Sequence, residues 1–285
     1  MAKIFYVAQG AAAGFFFGTA SIFVRFLHGL DAFTIVVFRV VVAAALLWVV
    51  SLILFGNESF KVIRRFSREL PLLGFLLGLH FIFFVLGVQN TSVVNATTLV
   101  NTTPAMAMVI GWRLGWIKPS NTNIIGLVLA IVGLAAMTLG QFSLQSPNIV
   151  GDVYAVFGAL FWALYLVFGK KVREQVNIFA ALGPLYMFTA FPALAAAFIF
   201  GRGLSSPGAD QLFALFGLAF FPTVLGHGLQ FSSLRGLHPY QTSSLALLEP
   251  IVAAGLAVLL LAEIADPITY LSAAAVITGI YLVIK

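Results

Sequence analysis

Thr97-Thr98-Leu99-Val100-Asn101-Thr102-Thr103-Pro104 and Ser243-Ser244-Leu245-Ala246-Leu247-Leu248-Glu249-Pro250 are two versions of one motif, each set inside an apolar run. Pro250 follows Pro104 by 146 residues, and the same register, without a gap, pairs Leu99 with Leu245, Ala107 with Ala253, Ile131 with Ile277 and Gly133 with Gly279. The second half therefore reads as a diverged copy of the first, dividing the chain into residues 1–143 and 144–285. Repeated membrane halves with interrupted apolar segments are the mark of a carrier that binds its cargo between the copies.

Working outward, hydrophobic residues make up 61% of the 285, charged residues 8%, and the mean hydropathy is +1.08. That leaves too little polar surface to cover a soluble globule. The lipid bilayer is the expected surrounding, in a cell (cytoplasmic) membrane. The net charge of +6 is read as loops facing anionic lipid, and no nucleic-acid partner is expected. Zero cysteines remove disulfides, thiolate nucleophiles and cysteine metal sites together. No cofactor and no metal are expected.

A bilayer core of about 30 Å takes about 20 apolar residues per helix. The chain divides into ten such spans, near 5–27, 33–55, 70–89, 92–115, 122–140, 148–169, 178–200, 209–231, 241–262 and 266–284. The predicted fold class is an all-α polytopic membrane protein. Lys3 ahead of Ala11-Ala12-Ala13 resembles a cleaved leader. Here the apolar run continues to Leu27 and carries Gly10, Gly14 and Gly18, a smooth ridge for close helix packing, so a retained helix is expected.

Charge sets the orientation. Taking alternate connections, 12 of the 15 Lys and Arg residues fall on one side, only Arg25 and Arg202 on the other, and Arg39 within a span. By the positive-inside rule both termini are cytoplasmic. Each half holds an odd number of spans, so the two five-helix repeats are predicted to be inverted relative to one another.

The two motifs, together with Gly14-Phe15-Phe16-Phe17-Gly18 leading to Phe38-Arg39-Val40 and the run Ala246-Leu247-Leu248-Glu249-Pro250-Ile251-Val252-Ala253-Ala254, resemble the drug/metabolite transporter superfamily, EamA type. The resemblance spans essentially the whole chain and implies ten helices in two inverted repeats and a carrier of small metabolites, most often an exporter of amino acids or related solutes. Within that superfamily the aromatic amino acid exporters resemble this chain in a histidine of the third helix and a tryptophan of the sixth, here His80 and Trp162. Polar Asn101 departs from that group. Sugar-phosphate exchangers hold phosphate with intramembrane Lys and Arg in the second half, and none lies mid-span there in this sequence.

Ionisable groups in hydrocarbon need a cavity or a partner, and the candidates are Arg39, His80, His227 and Glu249. Glu249 occupies the register position of Thr103, about 12 Å from the cytoplasmic edge at ~1.5 Å per residue. It reads either as a ligand for an amine or proton that sets which gate is open, or as a carboxylate that pins its helix. Arg39, about 9 Å below the outer surface, reads as an anchor or gate charge whose stem snorkels outward. Pro104 and Pro250 free the carbonyls of Val100 and Ala246. These are either kinks lining a wet path or packing kinks closed by a neighbouring hydroxyl. Thr223, His227 and Gln230 fall on one helical face after Pro222, while Trp162 and Tyr165 follow helical spacing with Gly158 and Gly169. His80 and His227 each read equally well as satisfied neutral histidines.

The expectation drawn from these residues is a secondary transporter for a small-molecule substrate, a neutral or aromatic amino acid, exported by alternating access. His80, Asn101, Trp162, Tyr165, His227, Gln230 and Glu249 are the predicted lining, with Pro104 and Pro250 as gates. Protons are a candidate coupling partner, and a monomer and a homodimer both stay open. The alternatives are exchange of another solute, such as a nucleoside, amine or sugar phosphate, and an intramembrane enzyme. The enzyme is disfavoured because the chain lacks H-E-x-x-H, G-x-S-x-G and G-x-x-x-x-G-K-[ST], and Glu249 has only Asp152, Glu263 and Asp266, near span ends, as acidic company.

Overall fold

In hydrocarbon every backbone N–H and C=O must find a partner within its own segment, so apolar runs of this length become helices. The computed structural model describes residues 2–139, 149–201, 203–261 and 267–285, and all its regular elements are helical. They are α1 (Ala2–Gly18), α2 (Ala20–Arg25), α3 (Ala32–Phe55), α4 (Glu58–Arg65), α5 (Glu69–Asn90), α6 (Val93–Val100), α7 (Thr103–Arg113) and α8 (Asn121–Leu139). The second half holds α9 (Ile149–Gln175), α10 (Ile178–Phe200), α11 (Ala209–Leu218), α12 (Gly228–Ser233), α13 (Pro239–Leu245), α14 (Glu249–Leu261) and α15 (Pro267–Ile284). A π-helical stretch, Ala219–His227, joins α11 to α12, and a 3₁₀ turn, Ala246–Leu248, joins α13 to α14. The expected division at 143/144, the span ends at 140 and 262, and Arg202, Glu263 and Asp266 lie outside the described residues.

Among the described residues six helical stretches are long and apolar enough to cross a membrane: α3, α5, α9, α10, α15 and the continuous run from Ala209 to Ser233. The expected spans near 5–27, 92–115 and 241–262 are each interrupted, at Thr19, at Asn101–Thr102 and at 246–248. Side-chain oxygens start several helices. Asp31 accepts from the Thr34 N–H at 2.9 Å, Ser92 from Asn95 at 3.0 Å and Asn177 from Phe179 at 3.0 Å.

Two segments differ from expectation. The basic stretch after Gly56, expected as a connection, folds into α4, with Glu58 in its first turn and Arg64 and Arg65 in its last, which complements the helix dipole. Val62 and Ile63 pack on the core while Lys61 stays exposed. Helix α9 runs six residues past the expected end at 169, to Gln175, where Lys170 pairs with Glu174 one turn on at 2.9 Å.

Helices pack in pairs, α3 along α10, α5 along α9 and α8 along α15. Small residues set the spacing where backbones meet. A Cβ on Gly14 would lie 2.4 Å from the Leu245 carbonyl oxygen, so the ridge of Gly10, Gly14 and Gly18 seats α1 directly on the broken helix that carries Pro250. Gly279 approaches Gly126 equally closely where α8 crosses α15. One large core cluster, containing Phe17, Phe81, Trp162 and Tyr186, surrounds the centre of the bundle.

Candidate functional site

Three broken helices meet at that centre, and each break is closed in its own way. Pro104 frees the Val100 carbonyl, which Thr103 Oγ1 takes at 2.6 Å. Pro250 frees the Ala246 carbonyl, which the Glu249 N–H takes by tightening the chain into a 3₁₀ turn. Pro222 frees the Leu218 carbonyl, which Thr223 Oγ1 takes at 2.8 Å inside the π-helical stretch. The first break is thus closed by a neighbouring hydroxyl, as a packing kink would be. At the second, the residue in the register of Thr103 is Glu249, whose backbone performs the closure and whose side chain is left for other work.

That side chain faces a cavity of about 30 Å³ lined by Phe17, Ala20, Arg39, His80, Phe84, Val100, Trp162, Pro222, His227 and Glu249. The volume holds one or two water molecules and is too small for an amino acid. Among its lining residues Arg39 is the only strong base and Glu249 the only acid. Ion pairs within 4 Å, among the described residues, join Lys61 to Glu58 and Lys170 to Glu174. Arg39 and Glu249 therefore share the cavity without touching.

Arg39 is 3% exposed, which corrects the expectation of a stem snorkelling to the surface. Its Nε donates to Thr223 Oγ1 at 2.6 Å, its guanidinium lies 4.3 Å from the centre of the Phe81 ring, and its buried Nη1 has no hydrogen-bond partner. Tyr186, through its hydroxyl, donates to the Thr223 carbonyl at 3.1 Å and steadies the same turn. An Arg held by one nitrogen and a ring face, with another nitrogen free, can accept an anionic group from the cavity.

The histidines meet although they come from separate halves. The His80 ring stacks on Trp162 at 4.9 Å and lies 5.6 Å from the His227 ring, which Phe17 and Phe81 flank at 4.8 Å and 4.9 Å. His80 Nδ1 sits 3.0 Å from the Gly158 carbonyl, an acceptor, so Nδ1 carries the proton there. His227 Nδ1 is buried without a partner. Trp162 Nε1 donates to Gln230 Oε1 at 2.9 Å, and the Gln230 Nε2 group is unpartnered.

Of the predicted residues, His80, Trp162, His227 and Glu249 line the cavity, and Arg39 joins them. Gln230 sits behind the wall and orients Trp162. Asn101 caps α6, is 1% exposed, and donates through Nδ2 to the Thr97 carbonyl at 2.9 Å, with its buried Oδ1 unpartnered. Tyr165 stands apart, stacked on Phe231 at 5.7 Å. The sequence reading missed Phe17, Phe84 and Tyr186 as parts of the site. Phe17 lies within the quoted Gly14 to Gly18 run, but nothing separates it by type from the other 28 of the 29 phenylalanines.

The EamA-like transporter family profile matches residues 4–139 and again 149–285. A "probable amino-acid metabolite efflux pump" of Escherichia coli (strain K12) is 26% identical over 166 residues, 55% of this chain and 56% of that protein. The "uncharacterized inner membrane transporter YedA" of the same strain is 25% identical over 197 residues, 68% of this chain and 63% of that protein. The matched stretches thus span little more than half the length of these curated relatives. A crystal structure of 14% sequence identity superposes with a TM-score of 0.80 over 97% of this chain and 95% of its own, and so shares the fold. This polytopic helical bundle, whose two halves each match the same profile, belongs to the EamA-like transporter family.

Proposed function

We propose that this protein is a secondary transporter that crosses the cell membrane ten times, as two inverted five-helix repeats with cytoplasmic termini, and exports a small zwitterionic metabolite, a neutral or aromatic amino acid. The observation that carries the substrate class is that Arg39 and Glu249, one base and one acid, both line an otherwise largely aromatic and histidine-lined cavity. A zwitterion satisfies both charges and remains neutral overall in a low-dielectric site. A phosphate would need more than one base, and an amine alone would leave Arg39 Nη1 unpaired.

The double family match and the packing of α3 on α10 and α8 on α15, which are register-related spans, support the repeat. The printed name of the E. coli relative supports amino-acid export. Because the cavity holds only about 30 Å³, cargo enters and leaves by movement of the helices broken at Pro104 and Pro250, which is the alternating-access step. Glu249 is the proposed carrier of a coupled proton.

Counterflow in proteoliposomes against labelled amino acids, nucleosides, amines and sugar phosphates tests the reading. Amino acids exchange and the other classes do not; exchange of sugar phosphates alone would overturn it. Glu249→Gln abolishes flux or removes its pH dependence, and unchanged flux at every pH would take the carboxylate out of the mechanism.

A further inference from the structure

A second chamber, of about 340 Å³, opens at the basic end of the bundle. Ala107 and Val167 form its floor, Trp116 and Ile117 an apolar wall, and Lys170 and Lys171 its rim. The volume falls in the range of small-molecule sites, and the lining combines apolar surface with a few charges as such sites do.

Its position relative to the inner cavity is informative. The inner cavity is lined by Val100 of α6 and Glu249 of α14, one half of each helix broken at a motif proline. The chamber is lined by the other halves, Ala107 of α7 and Pro239 of α13. Helix α9 passes both, presenting Trp162 to one and Val167 to the other, about 7.5 Å apart at ~1.5 Å per residue. Thr103, Ala163 and Ser243, beside these breaks and on α9, are each 0% exposed. The same two breaks that bound the inner cavity therefore divide it from the chamber.

The rim carries Lys170, Lys171 and Glu174, and the Lys170–Glu174 pair leaves Lys171, among the described residues, as its unpaired cation. Lys170 Nζ is held by the Leu234 carbonyl at 2.7 Å and by Glu174 at 2.9 Å, while the Lys171 side chain is exposed. We propose that this chamber is a loading subsite that holds the carboxylate of a small solute at the Lys170–Lys171 rim and its apolar body against Trp116 and Ile117, before the broken helices admit it to the inner cavity. This rests on the transport reading above.

The absence of native cysteine lets single cysteines report without background. Val167→Cys, close to isosteric at the floor, and Trp116→Cys at the mouth are placed in the full chain in phosphatidylcholine vesicles. Each is reacted with the anionic sulfonatoethyl methanethiosulfonate and with its cationic trimethylammonium counterpart. Both positions react, the anionic reagent about fivefold faster, as a single ion pair in wet surroundings provides. Lys171→Gln, a change at an exposed side chain, lowers that preference, and added phenylalanine slows the reaction at Val167→Cys. The proposal is overturned if Trp116→Cys reacts while Val167→Cys is inert, or if the two reagents react equally. It is also overturned if phosphatidylglycerol in the vesicles blocks the floor position, since the occupant is then a lipid. Counterflow on the same vesicles separates the two proposals: flux with an inert floor position defeats the chamber alone, and a protected floor position without flux of any solute defeats the transport reading.

Discussion

Arg39 Nε donates to Thr223 Oγ1 at 2.6 Å, and that hydroxyl in turn donates a hydrogen bond to the Leu218 carbonyl at 2.8 Å. One side chain thus closes the backbone gap left by Pro222 and positions the cation of the central cavity. The two roles cannot be separated by substitution, which makes the bond a sensitive test of the site. Thr223→Val keeps the shape, leaves Arg39 Nε unpaired and removes the hydroxyl's bond to the Leu218 carbonyl. A loss of about 1–3 kcal/mol in stability is expected, together with loss of flux, and Thr223→Ser restores both. Detergent-solubilised melting and proteoliposome flux measure it.

Gly14→Ala places a methyl group 2.4 Å from the Leu245 carbonyl oxygen, backbone that cannot swing away. Overpacking of this kind costs about 1–3 kcal/mol, read as a lowered melting temperature. Gly255→Ala, whose new methyl meets nothing within 4 Å, leaves the melting temperature unchanged or raises it through helix propensity. Equal effects at the two positions would refute the close seating of α1 on the Pro250 helix.

Tyr165→Phe removes a buried hydroxyl that has no hydrogen-bond partner, on a ring that does not line the inner cavity. Removing an unsatisfied polar group is neutral or stabilising, so melting is unchanged or higher and flux is retained. A loss of flux with intact folding would return Tyr165 to the transport path.

At the end of the bundle opposite the lysine-rich rim, Asp31 caps α3 and accepts from Ser205 Oγ at 3.0 Å. Burial raises the Asp31 carboxyl, but hydrogen bonds from Thr34 and Ser205 outweigh it and hold the group below the ordinary carboxylate value. A depressed folded value means the stabilisation is complete above the unfolded value and disappears as pH falls through the folded one. Asp31→Ala therefore melts below the parent at neutral pH, by about 1 kcal/mol for a lost cap, and the gap closes in acid. A gap that stayed constant with pH would show that the carboxylate's charge is not what holds this end together.

Much of the site was legible because membrane burial makes polar residues conspicuous. His80, His227, Glu249 and Arg39 stand out against hydrocarbon by type alone, and all four line one cavity. Trp162 was legible from its place on α9. Tyr165, three residues further along the same helix, was not separable from it, because helical spacing fixes a face only to within about a third of a turn. Arg39 was misplaced for a related reason: depth from a span end says how far a long side chain can reach, not which way it points. Helix α4 was missed because a charged eight-residue segment between apolar runs reads as a connection, although its Val62 and Ile63 share an inward face.

The chain alone determined that this is a helical membrane protein in two related halves, since composition, span length and the 146-residue register depend only on the order of residues and the solvent they require. It also marked Pro104, Pro222 and Pro250 as places where a backbone bond is lost, although α10 continues through Pro184 and Pro192. Tertiary structure alone decided how each break is closed, by Thr103, by the Glu249 backbone or by Thr223, and which polar groups converge. Those outcomes depend on contacts between residues as far apart as Arg39 and Thr223, whose separation of 184 positions carries no local signal of the pairing.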